Sequence, residues 1–158
     1  DRNSTTNVLH IINDVICKST VKNIYITTFF CMIDKETNVM KYSNAGHFPP
    51  LVYRKKTDEF FELTTKGPPL GWFKTLQLEE KEIQLNRGDR LLLFTDGITE
   101  CGDVDREEFG GDRFREFIRN NIKLDPEKFS EELLKHLKEF SGEEKFDDDL
   151  CLVVVDVL

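Results

Sequence analysis

The chain has 158 residues, a formal net charge of −8 and 33% charged residues. That length suits one domain over residues 1–158 with a genuine core, and 13 phenylalanines are too many for a disordered segment. The acidic balance excludes a nucleic-acid partner, which demands a basic face, and no apolar run approaches the ~20 residues that span a bilayer. No signal peptide is visible, so a cytoplasmic location is expected. The first residue is Asp1, not Met, and a piece of a longer protein is expected. Cys17, Cys31, Cys101 and Cys151 are scattered with no C-x-x-C pair, which reads as reduced, mostly buried thiols rather than a zinc or redox motif.

The predicted elements follow from periodicity. Val8, Leu9, Ile11, Ile12, Val15 and Ile16 recur at helical spacing, with Ser4, Thr5 or Thr6 as the cap. Residues 24–33 are β-branched and aromatic and read as a strand buried on both faces. A turn at 34–38 joins it to a second strand at 39–43, and residues 44–50 (Asn-Ala-Gly-His-Phe-Pro-Pro) break the pattern. Residues 51–54 and 59–63 form another hairpin, and 66–71 a rigid Gly/Pro loop. Strands at 78–85 and 90–95 follow, the second one buried, and then a charged loop over 96–111. Two amphipathic helices cover 112–121 and 126–140. The second has Asp125 as its cap, Pro126 in its first turn, and an apolar face of Phe129, Leu133, Leu134, Leu137 and Phe140. An apolar strand closes the chain at 150–158. Hairpins, then helices, then a last strand define an α+β class. The strands are apolar enough to predict an antiparallel β-sandwich flanked by helices, with Leu92 and Val153 both in the core.

Two acidic sites stand out. At Phe94-Thr95-Asp96-Gly97 a core strand runs into a carboxylate. A carboxylate ending a core-facing row is costly unless it is paired, hydrogen-bonded or bound to metal. The alternative is an ordinary turn with Gly97 at positive φ. At Asp147-Asp148-Asp149 three acids precede the last strand. Neighbouring carboxylates about 5 Å apart repel by roughly 3 kcal/mol at an effective dielectric near 20, which either water or a hard divalent cation relieves. If that segment is extended, Asp148 faces away from Asp147 and Asp149, so all three cannot hold one ion. His47 reads either as a loop brace or as a phosphate contact. Neither acidic cluster is decisive alone. Together they point to a metal-assisted hydrolase.

Four segments in order resemble one family: YITTFFCMIDKETNVMKYSNAGHFPPLVYR, GPPLGW, LNRGDRLLLFTDGITE and FDDDLCLVVV, with EEFGGDRF between the last two. They are similar to the PPM (type 2C-like) phosphatases of the SpoIIE/RsbU branch. The resemblance implies a Mg²⁺- or Mn²⁺-dependent serine/threonine protein phosphatase with two ions in the complete family site. By motif position it makes Asp96 and Asp148 metal ligands, with Gly97 and Asp149 in support, and it assigns no further catalytic residue. It also implies a phosphorylated regulatory protein of the anti-anti-sigma type as substrate, and an upstream sensor domain. The family's two earlier acidic motifs precede the helix that begins here near Thr6. One ion or none, and impaired turnover, are therefore expected of this piece alone. The competing expectation is a non-catalytic interaction module that keeps the phosphatase fold.

Overall fold

A computed structural model describes residues 4–18, 24–142 and 146–158. Its elements run α1 (Thr5–Lys18), β1 (Thr28–Ile33), β2 (Val39–Ala45), β3 (Leu51–Arg54), β4 (Glu59–Glu62), β5 (Lys81–Gln84), β6 (Asp89–Phe94), a 3-10 turn (Asp96–Ile98), α2 (Gly110–Asn121), α3 (Pro126–Ser141) and β7 (Leu152–Asp156). The class is α+β, as expected, with antiparallel sheets in the orders β1-β2-β5 and β4-β3-β6-β7. The chain divides into two compact units, one of Asp1–Pro50 with Glu62–Asn86 and one of Leu51–Phe61 with Arg87–Leu158.

In the first unit, β1 and β2 form the expected hairpin, in register from Thr28 opposite Ala45 to Ile33 opposite Met40. Helix α1 packs on both strands. It buries Leu9 with Ala45, Leu70 and Leu76. The start of α1 is held from far along the chain: the backbone N–H and hydroxyl of Thr5 both donate to Glu80, and Thr5 also bonds Ser43. Buried Asn13 ties the 66–71 loop down, accepting from the Gly71 N–H at 2.7 Å and donating to the Phe73 carbonyl at 3.1 Å.

In the second unit, β6 lies between β3 and β7, pairing Leu92 with Leu51 on one side and with Val154 on the other. Leu92, Phe94, Ile98, Phe109, Phe114, Phe117 and Phe129 form its core, with edge-to-face rings such as Phe94 on Phe114 at 4.9 Å. Helix α3 starts as expected. Pro126 opens it and the Asp125 carboxylate accepts from the Lys128 N–H at 2.9 Å. Gly142 in the left-handed region ends it. At the start of β6, buried Arg90 is clamped by Asp156 and by the Leu124 carbonyl, and buried Asp89 pairs with Arg54.

Three expectations about burial are corrected. Val153 is 50% exposed, and Val155 also faces outward, while Leu152 and Val154 pack on the core. The last strand therefore alternates instead of being buried on both faces, because β7 is the outermost strand of its sheet among the described residues. Residues 24–33 are not a doubly buried strand either. The regular strand begins at Thr28, its residues are half-buried or exposed, and Ile24, Tyr25 and Ile26 are exposed, tied down by the Ile26–Leu70 bridge and the Tyr25–Trp72 ring contact. Leu134 is exposed, so it lies off the buried face of α3.

Candidate active site

Both acidic motifs lie in the second unit, at the same end of the β6–β7 pair. The register runs to Phe94 opposite Leu152, and from there Thr95 continues the pairing by side chain. Its backbone N–H donates to the Cys151 carbonyl, its hydroxyl donates to the Asp149 carbonyl at 2.9 Å, and the same oxygen accepts from the Cys151 N–H at 3.0 Å. Asp96 then opens the 3-10 turn. Its carbonyl accepts from the Thr99 N–H, the Glu100 N–H and the Thr99 hydroxyl. The residue itself is exposed, so it does not end a buried row as the alternation predicts. The chain turns at Asp96, before the side chain reaches the core.

Gly97 is required here for a different reason from the one expected. It is not in the left-handed region. A Cβ there would meet the Asp149 carbonyl oxygen at 2.8 Å and Leu150 Cδ2 at 3.2 Å. The absence of a side chain lets the peptide after Asp96 lie against the Asp147–Asp149 segment. In that segment the Asp148 carboxylate accepts from the Asp149 N–H at 2.7 Å, and Asp149 serves the junction through its backbone carbonyl.

A cleft of about 720 Å³ opens beside this junction. Asp147, Asp148 and Gly97 line it. So do Glu100, Asp103 and Arg106 from the 96–111 loop, which sequence reasoning left without a role. Asp96 is not among the lining residues. Nothing in residue spacing marks Glu100 or Arg106, because the loop folds through tertiary bonds: the Phe109 N–H donates to the Cys101 carbonyl and the Gly110 N–H to the Thr99 carbonyl. Cys101 also lines the cleft. Burial pushes its thiol pKa up and the Asp147 charge adds to that, which keeps it a neutral thiol and a poor nucleophile. The carboxylates supply hard oxygen donors of the type that Mg²⁺ or Mn²⁺ takes. Among the described residues, no three acidic, cysteine or histidine side chains converge on one ion position.

His47 belongs to the first unit. There its backbone N–H donates to the Asn44 side chain at 2.7 Å, and its carbonyl accepts from the Asn44 amide at 2.9 Å. These bonds brace the loop through the Asn44 side chain and the His47 backbone.

The fold is that of PP2C-like phosphatase domains. The SiaA-PP2C domain of Pseudomonas aeruginosa matches with a TM-score of 0.79 at 19% identity, over 94% of this chain and 59% of that one. The phosphatase domain of the cell fate determinant SpoIIE from Bacillus subtilis, in a Mn-presoaked crystal, matches with a TM-score of 0.68 at 21% identity, over 98% and 67%. The family model described as Stage II sporulation protein E (SpoIIE) matches residues 1–158, and the chain belongs to that family. Phosphoserine phosphatase RsbU of Bacillus subtilis (strain 168) is 32% identical over 94 residues, which are 60% of this chain and 28% of that protein. The chain thus spans less than a third of that curated relative's length. Among the described residues, no helix is long and apolar enough to cross a membrane.

Proposed function

We propose that the chain is a single phosphatase domain, residues 1–158 forming its C-terminal portion, of a metal-dependent protein that hydrolyses phosphoserine or phosphothreonine on a regulatory protein in bacterial signalling. The observation that carries this reading is the junction of Thr95-Asp96-Gly97 with Asp147–Asp149, made by the Thr95 bonds and the close approach at Gly97. Asp96 and Asp148 are the ligands, with Gly97 and Asp149 holding them. A bound Mg²⁺ or Mn²⁺ supplies polarisation of the phosphate and acidification of a water. The protein's own residues fix the two acid-bearing segments against each other. They also line the cleft with carboxylates, and they keep Cys101 out of the chemistry.

The kinship with a phosphoserine phosphatase, RsbU, supports phosphoserine as the group cleaved. The reading takes with it the substrate, a phosphorylated regulatory protein of the anti-anti-sigma type, a sensor region elsewhere in the protein and a cytoplasmic setting that the motif resemblance implies. A second reading, a non-catalytic interaction module, is favoured by one observation: no three ligand side chains converge among the described residues.

Calorimetric Mn²⁺ titration and p-nitrophenyl phosphate turnover of the full-length protein separate the two. Asp96→Asn and Asp148→Asn should each abolish turnover and weaken Mn²⁺ binding while thermal melts stay cooperative. A full-length protein that binds no Mn²⁺ and hydrolyses no ester supports the interaction module.

A further inference from the structure

Arg106 stands apart from everything else around the cleft. Among the described residues, the lining carries the carboxylates of Glu100, Asp103, Glu108, Asp147 and Asp148, and Arg106 is its one cation. The backbone at Arg106 is left-handed, with φ 65°. Among the described residues, the other non-glycine residues found there are Asn38 and Asp58, whose types adopt this conformation readily, whereas a long side chain rarely does.

The surrounding bonds fix that backbone. The Arg106 N–H donates to the Asp103 carbonyl at 2.9 Å, and the Asp103 carboxylate accepts from the N–H groups of Asp105 and Glu107. Arg113 anchors the far side of the loop, pairing with Glu107 and donating to the Glu108 carbonyl at 2.8 Å. One arginine, Arg113 of α2, therefore braces the loop from outside, and a second, Arg106 within it, is exposed. Among the described residues, the Arg106 side chain makes no hydrogen bond or ion pair, despite five carboxylates around the same cleft.

We propose that Arg106 is the substrate-recognition residue of this cleft, and that its guanidinium binds the phosphoryl group of a phosphoserine or phosphothreonine side chain. This inference rests on the phosphatase reading above and adds to it the residue that selects the substrate. The chemistry favours it on two counts. A phosphate dianion approaching a wall of carboxylates needs a cation to admit it, and the planar guanidinium fork matches phosphate oxygens bidentately. An arginine held in an unfavourable backbone conformation, with no hydrogen bond or ion pair among the described residues, is also placed to take a ligand.

The test uses the full-length protein with wild-type, Arg106→Lys, Arg106→Gly and Arg106→Ala chains. Binding of a fluorescent phosphoserine peptide and of its non-phosphorylated serine and glutamate counterparts is measured by anisotropy, alongside kcat and KM on the phosphopeptide. Arg106→Gly should raise Kd and KM for the phosphopeptide about tenfold, with the loss falling on KM more than kcat, and should melt no lower than wild type because glycine accepts the left-handed φ. Arg106→Lys should recover part of the affinity. Arg106→Ala, with the cation gone and the φ still unfavourable, should match the glycine variant in Kd. Phosphopeptide affinity equal to wild type in both the glycine and alanine variants overturns the proposal, even if wild type is an active phosphatase. So does equal loss of affinity for the glutamate peptide, which would mark Arg106 as a general contact for acidic segments. Arg106-dependent phosphopeptide binding by a wild-type protein without turnover upholds recognition and sinks the phosphatase reading instead. Absence of both binding and turnover overturns both.

Discussion

A methyl group at position 97 would come within 2.8 Å of the Asp149 carbonyl oxygen and 3.2 Å of Leu150 Cδ2. The carbonyl cannot easily give way, because Asp149 O also accepts the Thr95 hydroxyl. Gly97→Ala should therefore push the Asp147–Asp149 segment away and cost about 1–3 kcal/mol, as overpacking typically does. Urea melts should show the loss, and Mn²⁺ titration of the full-length protein should show weakened binding. An alanine variant as stable as wild type would mean that the two segments do not meet this closely. Thr95 gives an independent check on the same junction. Thr95→Val keeps the shape but removes a donor and an acceptor, and about 1–3 kcal/mol should be lost, with Thr95→Ser retaining most of it. The residues Asp96, Gly97, Asp148 and Asp149 were legible as a pattern. The reason Gly97 is glycine was not, because its neighbour in space lies across a contact that no local turn rule encodes. Arg106 was illegible for the same reason: its significance comes from φ and from a cleft assembled from three chain segments.

Helices α1 and α3 separate local from distant signals at the level of elements. The start of α3 was readable because Asp125, Pro126 and the accepting geometry lie within a few residues. Asp125→Ala should cost about 1 kcal/mol, read from thermal melts, as loss of an N-cap usually does. Helix α1 was equally clear from its apolar repeat. The group that satisfies its first turn, Glu80, was not, since it lies 75 positions from Thr5. Burial pushes the Glu80 carboxyl pKa up, but the Thr5 hydroxyl and N–H, with Lys41 and Ser4, together outweigh this and leave it lowered. A carboxyl whose folded pKa is lowered contributes stability that is fully present above its unfolded value, about 4.3. That contribution is lost as pH falls through the lower folded value. Melting temperatures of wild type and Glu80→Gln should therefore differ most above pH 5 and converge as pH drops below 4. Parallel profiles over that range would show that Glu80 does not carry the helix end.

At the scale of the whole molecule, the α+β class and the order of strands and helices could be read because hydrophobic period and turn residues are local properties. Burial could not. Residues 150–158 look as apolar as residues 90–95, yet β6 sits between two strands while β7 is outermost among the described residues. Composition alone does not tell a central strand from an outer one. The distinction makes a quantitative prediction. Leu92 is fully buried and touches the aromatic core, whereas Val153 is half exposed. Leu92→Ala should cost about 2–5 kcal/mol through lost contacts and the cavity left behind, and Val153→Thr should stay within roughly 0.5 kcal/mol. Native-state hydrogen exchange gives the matching backbone picture, because opening free energy follows local burial and pairing. Amides of Leu91 and Leu92 in β6 should exchange slowest, near the global rate, and those of Ile24 and Tyr25 fastest. The Ile26 amide, bonded to Leu70 at 2.9 Å, should lie between. Equal protection of β6 and residues 24–26 would show that the exposed first-unit segment is as firmly held as the core. The burial pattern would then be a poor guide to where this protein opens.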